Sequence, residues 1–168
     1  MQNDIKSLVE LQTLYINLVS QALDNTLDKL LKKLKELIQD DVYNWKSESD
    51  DPWGLRSGQT LGLTSGMRTG EFYDSWEKMK LILTGGYVTG QISESLDVMH
   101  QVGWRVHENR DELAEIINSG NGYNFGQCEA RPYWTDWISW VELNIEAIFY
   151  KECVDVGLPL QNMSWGIQ

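Results

Sequence analysis

The chain has 168 residues, a net charge of -11 and 42% hydrophobic residues, among them eight Trp and seven Tyr. That length favours one domain with enough apolar material for a core, and the composition excludes a disordered chain. The acidic balance excludes tight duplex binding, which draws its affinity from Lys and Arg on phosphates; DNA is expected at most to slide past an acidic wall.

Residues 5 to 39 read as a helix, because Ile5, Leu8, Val9, Leu11, Tyr15, Leu18, Val19, Ala22, Leu23, Leu27, Leu30, Leu31, Leu34, Leu37 and Ile38 recur at threes and fours. Such a helix spans about 50 Å, and the polar triplet "DNT" at 24 to 26 is its expected break. In "DKLLKKLKEL" the leucines face inward and the lysines form a solvated face. Residues 40 to 70 are rich in Gly, Ser, Asp and Pro and read as a long loop or insertion. Their acidic residues lack the spacing of a calcium loop.

Residues 71 to 106 predict strands. "WEKMKLILT" sets Trp76, Met79, Leu81 and Leu83 against Lys78 and Lys80, Gly85-Gly86 supplies a tight turn, and "YVTGQISES" returns. A third strand is expected in "QVGWRVH", with Val102, Trp104 and Val106 on one face. "NRDELAEIINSGNG" predicts a short helix capped by Asn109 or Asp111 and ended by Gly120 or Gly122. The last helix begins with Pro132 at its first position and carries a stripe of Trp134, Trp137, Ile138, Val141, Ile145, Ile148 and Phe149. Gly157 and Pro159 end it.

The fold class expected is α+β: a long N-terminal helix, a small antiparallel sheet built on a hairpin, and a C-terminal helix packed on the sheet. One domain covers 1–168, divided into the helix at 5–39, the loop at 40–70, the sheet and C-terminal helix at 71–152 and a tail at 153–168 that carries Trp165.

No enzyme signature emerges. "GLTSG" at 62 to 66 lacks the spacing of a nucleophile elbow, and "GNGYNFG" at 120 to 126 lacks that of a dinucleotide loop. Cys128 and Cys153 form no C-x-x-C, and His100 and His107 stand apart from any ligand spacing, so neither metal nor cofactor is expected. No apolar run reaches the roughly 20 residues of a membrane span, and "MQNDIKSLVE" has no secretory pattern. Synthesis in a reducing cytoplasm with free thiols follows.

The densest aromatic stretch is "ARPYWTDWISW" at 130 to 140. Its spacing fits a core helix over a sheet, with Trp134 and Trp137 inward. Trp140 lies off that stripe and is expected at a subunit contact, since Trp is enriched in interface cores.

The order of three segments carries a resemblance. "TGEFYDSW" (69 to 76) precedes a hairpin, "ELAEIINSG" (112 to 120) follows it, and "ARPYW" (130 to 134) opens the last helix. The chain resembles the tail-completion, head–tail joining proteins of the tailed-bacteriophage neck over about residues 5 to 152. Thr69, Gly70, Phe72 and Ser75 match that family's first segment, with Phe in place of Leu. Glu115 and Gly120 match the second loosely, and Ala130, Arg131, Pro132 and Tyr133 match the third. The resemblance implies a virion structural protein at the head–tail interface, a homo-oligomeric ring between a connector or portal-side protein and a tail-tube or tail-terminator protein. DNA would pass through without specific binding. Arg131 is expected to set the start of the last helix by pairing with Glu115. The alternative is an acidic carbohydrate-binding or carbohydrate-cleaving module using exposed Trp and carboxylates.

Overall fold

The computed structural model describes residues 7–43, 71–95, 113–119, 121–122, 126–127 and 130–158. In chain order the elements are α1 (Leu8–Leu37), a π-helical turn (Ile38–Tyr43), α2 (Glu71–Asp74), β1 (Trp76–Lys78), β2 (Ile82–Thr84), β3 (Tyr87–Thr89), β4 (Ile92–Glu94), α3 (Leu113–Ser119), β5 (Asn121–Gly122), β6 (Gly126–Gln127) and α4 (Tyr133–Asp155). The architecture is α+β, with a long N-terminal helix, a small antiparallel hairpin region and a C-terminal helix packed against it. The expected third strand, the loop at 44–70 and the tail from 159 concern residues outside the described set.

α1 begins where the sequence supplies a cap. Ser7-Leu8-Val9-Glu10 has the capping-box pattern, and the Ser7 hydroxyl accepts the Glu10 N–H at 3.1 Å. The helix starts at Leu8 and not at residue 5. It then runs unbroken for 30 residues, about 45 Å. The break expected at "DNT" does not occur, because each polar side chain there finds a partner. Asp24 pairs with Lys78 at 2.9 Å, Asn25 helps to hold the Glu152 carboxyl low, and the buried Thr26 hydroxyl donates to the Ala22 carbonyl at 2.8 Å.

Ala22, Thr26, Leu30, Leu34 and Ile38 are all buried at intervals of four, which makes one continuous ridge. Past Leu37 the helix widens into the π turn, with the Ile38 N–H shared between the Leu34 and Lys35 carbonyls. The turn keeps both Ile38 and Val42 in the main core and extends helical structure into the segment read as loop from residue 40.

The hairpin is one antiparallel pair interrupted by a bulge. β1 pairs with β4 in the register Trp76↔Glu94 and Lys78↔Ile92, and β2 pairs with β3 as Ile82↔Thr89 and Thr84↔Tyr87. The two registers differ by one residue, because 79–81 on one strand face 90–91 on the other. The expected grouping of Trp76 with Met79 fails before the bulge, because β1 alternates strictly from Trp76. Lys78 shares the inward face of Trp76, reaching Asp24 and Asp28 on α1, and Met79 is exposed. The closing turn is as expected: Gly85 and Gly86 both have positive φ, which a two-residue hairpin turn of this type requires. Gly90 sits at the bulge, where a Cβ would meet Leu27 Cδ1 and Leu81 Cδ2, so its bareness lets the hairpin close on α1.

α4 runs antiparallel to α1. Trp137 near its start meets Leu30, and Cys153 near its end meets Ala22. Pro132 is the N-cap, one position before the first helical residue expected for it, and its carbonyl accepts the Asp136 N–H at 2.8 Å. At the other end Gly157 adopts φ +83. Leu158 N–H reaches the Cys153 carbonyl at 2.9 Å and Gly157 N–H reaches Val154, a Schellman motif. Its apolar contact is present too, with Leu158, Cys153 and Ala22 forming a second buried cluster. The helix thus runs to Asp155, up to the expected Gly157 stop, and includes the first residues of the 153–168 segment. β5 and β6, which pair through Asn121↔Gln127 and Gly122↔Gly126, had no counterpart in the sequence reading. Gly122, a candidate end for α3, lies in β5.

Candidate functional site

The segments singled out by the resemblance converge. Phe72 from α2, Trp76 from β1 and Tyr133 from α4 lie buried in one cluster with Leu30, Leu34, Ile38, Val42 and Trp137. Phe72 meets Tyr133 edge to face at 5.5 Å between ring centres, and Trp76 meets Tyr133 similarly at 6.4 Å. Trp134 stacks on Trp76 at 5.2 Å and touches Trp137 at 4.8 Å. Such pairs add about 0.5–1.5 kcal/mol each beyond the area they bury. The start of α4 is therefore clamped onto the hairpin, while its length lies along α1.

Each polar member of the cluster has a defined role. Ser75 is fully buried and donates its hydroxyl to the Phe72 carbonyl at 2.8 Å, which closes the turn between α2 and β1. Trp137 donates its indole N–H to the Leu30 carbonyl at 2.9 Å and so ties α4 to the middle of α1. Tyr133 donates its phenol to the Ala114 carbonyl on α3 at 3.3 Å. Burial, joined by the charge of Glu94, pushes that phenol well above its ordinary range, so Tyr133 stays a neutral donor.

Arg131 is buried and donates Nη1 to the Val42 carbonyl at 3.4 Å. A cation at the end of the π turn answers the unpaired carbonyls and partial negative charge found there. The expected Arg131–Glu115 pair does not form among the described residues; Glu115 lies exposed on α3. Beside the Tyr133–Ala114 bond, α3 and α4 are tied by Asn118, whose Oδ1 accepts the N–H groups of Trp134 and Thr135 at 3.2 and 3.3 Å. Pro132 makes no side-chain cap, so Asn118 caps α4 from a neighbouring helix. Nothing in the local sequence signals a cap donated from another element.

Trp140, expected off the stripe, packs on the main core cluster, and Lys33 Nζ lies 5.9 Å from its ring centre. The stripe is rotated relative to the expectation. Of the expected stripe Trp134, Trp137, Val141, Ile148 and Phe149 pack on the two clusters and are joined by Tyr133 and Trp140, whereas Ile138 and Ile145 are exposed. Thr69, Gly70 and Gly120 lie outside the described residues.

Two charged contacts flank the cluster. Lys29 ion-pairs with the buried Glu152 across the α1–α4 seam, and its hydrogen bond holds that carboxyl below the usual range despite burial. Lys78 reaches Asp28 at 2.6 Å as well as Asp24. Burial works against the Lys78 charge, yet the hydrogen bonds that its ammonium donates to Asp28 and Asp24 raise its pKa. Asp41 shows the opposite balance: burial first, then repulsion from Asp136 and Asp40, raises its carboxyl, with Lys33 acting against them. Burial also raises the Cys153 thiol, and Cys153 is a free cysteine.

Comparison with family models, with curated proteins and with solved structures gave no match. Among the described residues no helix is long and apolar enough to cross a membrane, and no cluster of His, Cys, Asp and Glu could hold a metal.

Proposed function

We propose that the chain is a structural subunit of the phage neck, a ring-forming adaptor that joins the portal-proximal side of the head to the tail and lets DNA pass. The observation that carries this reading is the meeting of its two best-matched segments. Phe72 and Ser75 come from the first, Arg131, Pro132 and Tyr133 from the third, and the fold uses them to join the hairpin, the π turn and the last helix. Segments that form one joint carry more weight than scattered short matches, because they specify one three-dimensional arrangement. The net charge of -11 supports a channel past which DNA slides. Exposed apolar side chains on α1, on the hairpin and on α4 supply the surplus surface that assembly requires.

The carbohydrate reading gains nothing from the described tryptophans. Trp76 and Trp137 are buried, and the half-buried Trp134 and Trp140 pack on the core.

The test is genetic. Disrupting the gene in a phage that carries it should give DNA-filled heads and finished tails that remain separate, and adding the purified protein should restore joining. Normal virions without the protein would remove the reading.

A further inference from the structure

Asp41 is placed against the electrostatics of its surroundings. It sits in the π turn, at the C-terminal end of the rod that begins as α1, where the aligned peptide dipoles disfavour negative charge. Its Oδ2 atom is shut off from solvent and has no hydrogen-bond partner among the described residues. A buried carboxylate oxygen left without a donor costs free energy that a surface aspartate does not. Charged groups act on Asp41 from three elements. Asp40 stands next to it in the turn, Asp136 repels it from the first turn of α4, and Lys33 of α1 works against both. Arg131 lies at the same joint and donates Nη1 to the Val42 carbonyl. The two facing acids are not equivalent. Asp136 is at a helix N-terminus, where the dipole favours its charge, whereas Asp41 is at a helix C-terminal end. A proton entering this joint therefore goes to Asp41.

We propose that Asp41 makes the π turn a proton-operated latch: ionised, it lets the end of the turn lift away from the start of α4, and protonated, it closes the turn onto that joint. The inference does not depend on the neck reading. The packing gives the latch a fixed end and a moving end. Ile38 is buried beside Leu34 and stays with α1. Val42 follows Asp41 directly, so a movement that takes the Asp41 carboxylate to water withdraws Val42 from the core and releases its carbonyl from Arg131. Burial first, and then Asp136 and Asp40, hold the Asp41 carboxyl above its ordinary 3.8. The closed turn thus binds its proton more tightly than the open one. The latch is firmest below that ordinary value and weakens as pH rises through the higher folded one. Glu152, in the last turns of α4, has the opposite sign, because its pairing with Lys29 is lost in acid. Acidification therefore tightens one end of the α1–α4 contact and loosens the other.

Native-state hydrogen exchange by NMR tests this on wild type, Asp41→Asn and Asp136→Asn, from about pH 4 to about pH 7. Asn keeps the shape of Asp41 and removes its charge. The Val42 amide reports the turn, and the Leu30 amide reports opening of α1 as a whole, so the ratio of their protection factors isolates the latch from overall stability. In wild type this ratio should rise roughly threefold or more as the pH falls across that range. Asp41→Asn should hold the high ratio already at neutral pH and stay flat, and Asp136→Asn should move in the same direction by less. A wild-type ratio that does not change with pH overturns the latch. So does an Asp41→Asn ratio equal to that of wild type at neutral pH. Should Asp41→Asn fail to fold, Asp136→Asn decides alone: a raised ratio at neutral pH supports the latch, and an unchanged one overturns it.

Discussion

The joint between α4 and α1 depends on Trp137, and replacing it with Phe gives a defined cost. The substitution removes the indole N–H that meets the Leu30 carbonyl at 2.9 Å, worth about 1 kcal/mol net. The carbonyl still has its own helical N–H partner, so no orphaned acceptor adds to this. The lost ring removes roughly 40 Å² of buried apolar surface, about 1 kcal/mol. The space left behind, about 40 Å³, adds up to about 1 kcal/mol if the neighbours do not close in. The expected loss is therefore about 2–3 kcal/mol, a fall of about 5–10 °C in Tm for a domain of this size. Urea unfolding followed by circular dichroism at 222 nm measures it. Leu143→Ala is the control, because Leu143 lies on the same helix at 84% exposure and should change stability by less than about 0.5 kcal/mol. If the two variants cost the same, Trp137 does not hold the seam and the packing described for α4 is wrong.

Three other outcomes follow from the same contacts. Arg131→Ala should cost about 2 kcal/mol by leaving the Val42 carbonyl unpaired, whereas Glu115→Ala should be neutral; urea midpoints for the two compare the rival partners. Glu152 has a folded pKa below its ordinary 4.5, so its stabilising contribution is complete above that value and is lost as pH falls through the lower folded pKa; Glu152→Gln should flatten this acid limb of the stability curve. Gly90→Ala should destabilise by about 1–3 kcal/mol through its collision with Leu27 and Leu81, and a Leu27→Ala background should relieve part of that loss in a double-mutant cycle.

The parts of the fold that were legible rest on local rules. The α1 heptads, the Gly85-Gly86 turn and the Gly157 stop each follow from backbone geometry or side-chain period within a few residues. What escaped depends on partners distant in sequence. "DNT" looks like a break until Lys78 and Glu152 are there to take Asp24 and Asn25. Lys78 turns inward and Met79 outward by simple alternation from Trp76, and the bulge hides because the extra residue within 79–81 shifts the register only beyond that point. The face of α4 was misjudged by a fraction of a turn, since apolar residues surround that helix and hydrophobicity alone does not choose between Trp140 and Ile138. At the site, Phe72, Ser75, Tyr133, Trp134 and Trp137 stand out in the sequence one by one, but their meeting in one cluster, the Asn118 cap and the Val42 partner of Arg131 depend on the assembled fold.

Native mass spectrometry of the purified protein tests whether the chain is one subunit of a closed ring, as proposed. The expected result is one dominant particle with a fixed whole number of copies, seen as a closed annulus with an open centre by electron microscopy. A single-copy species at every concentration, or an open filament without a defined copy number, would contradict it.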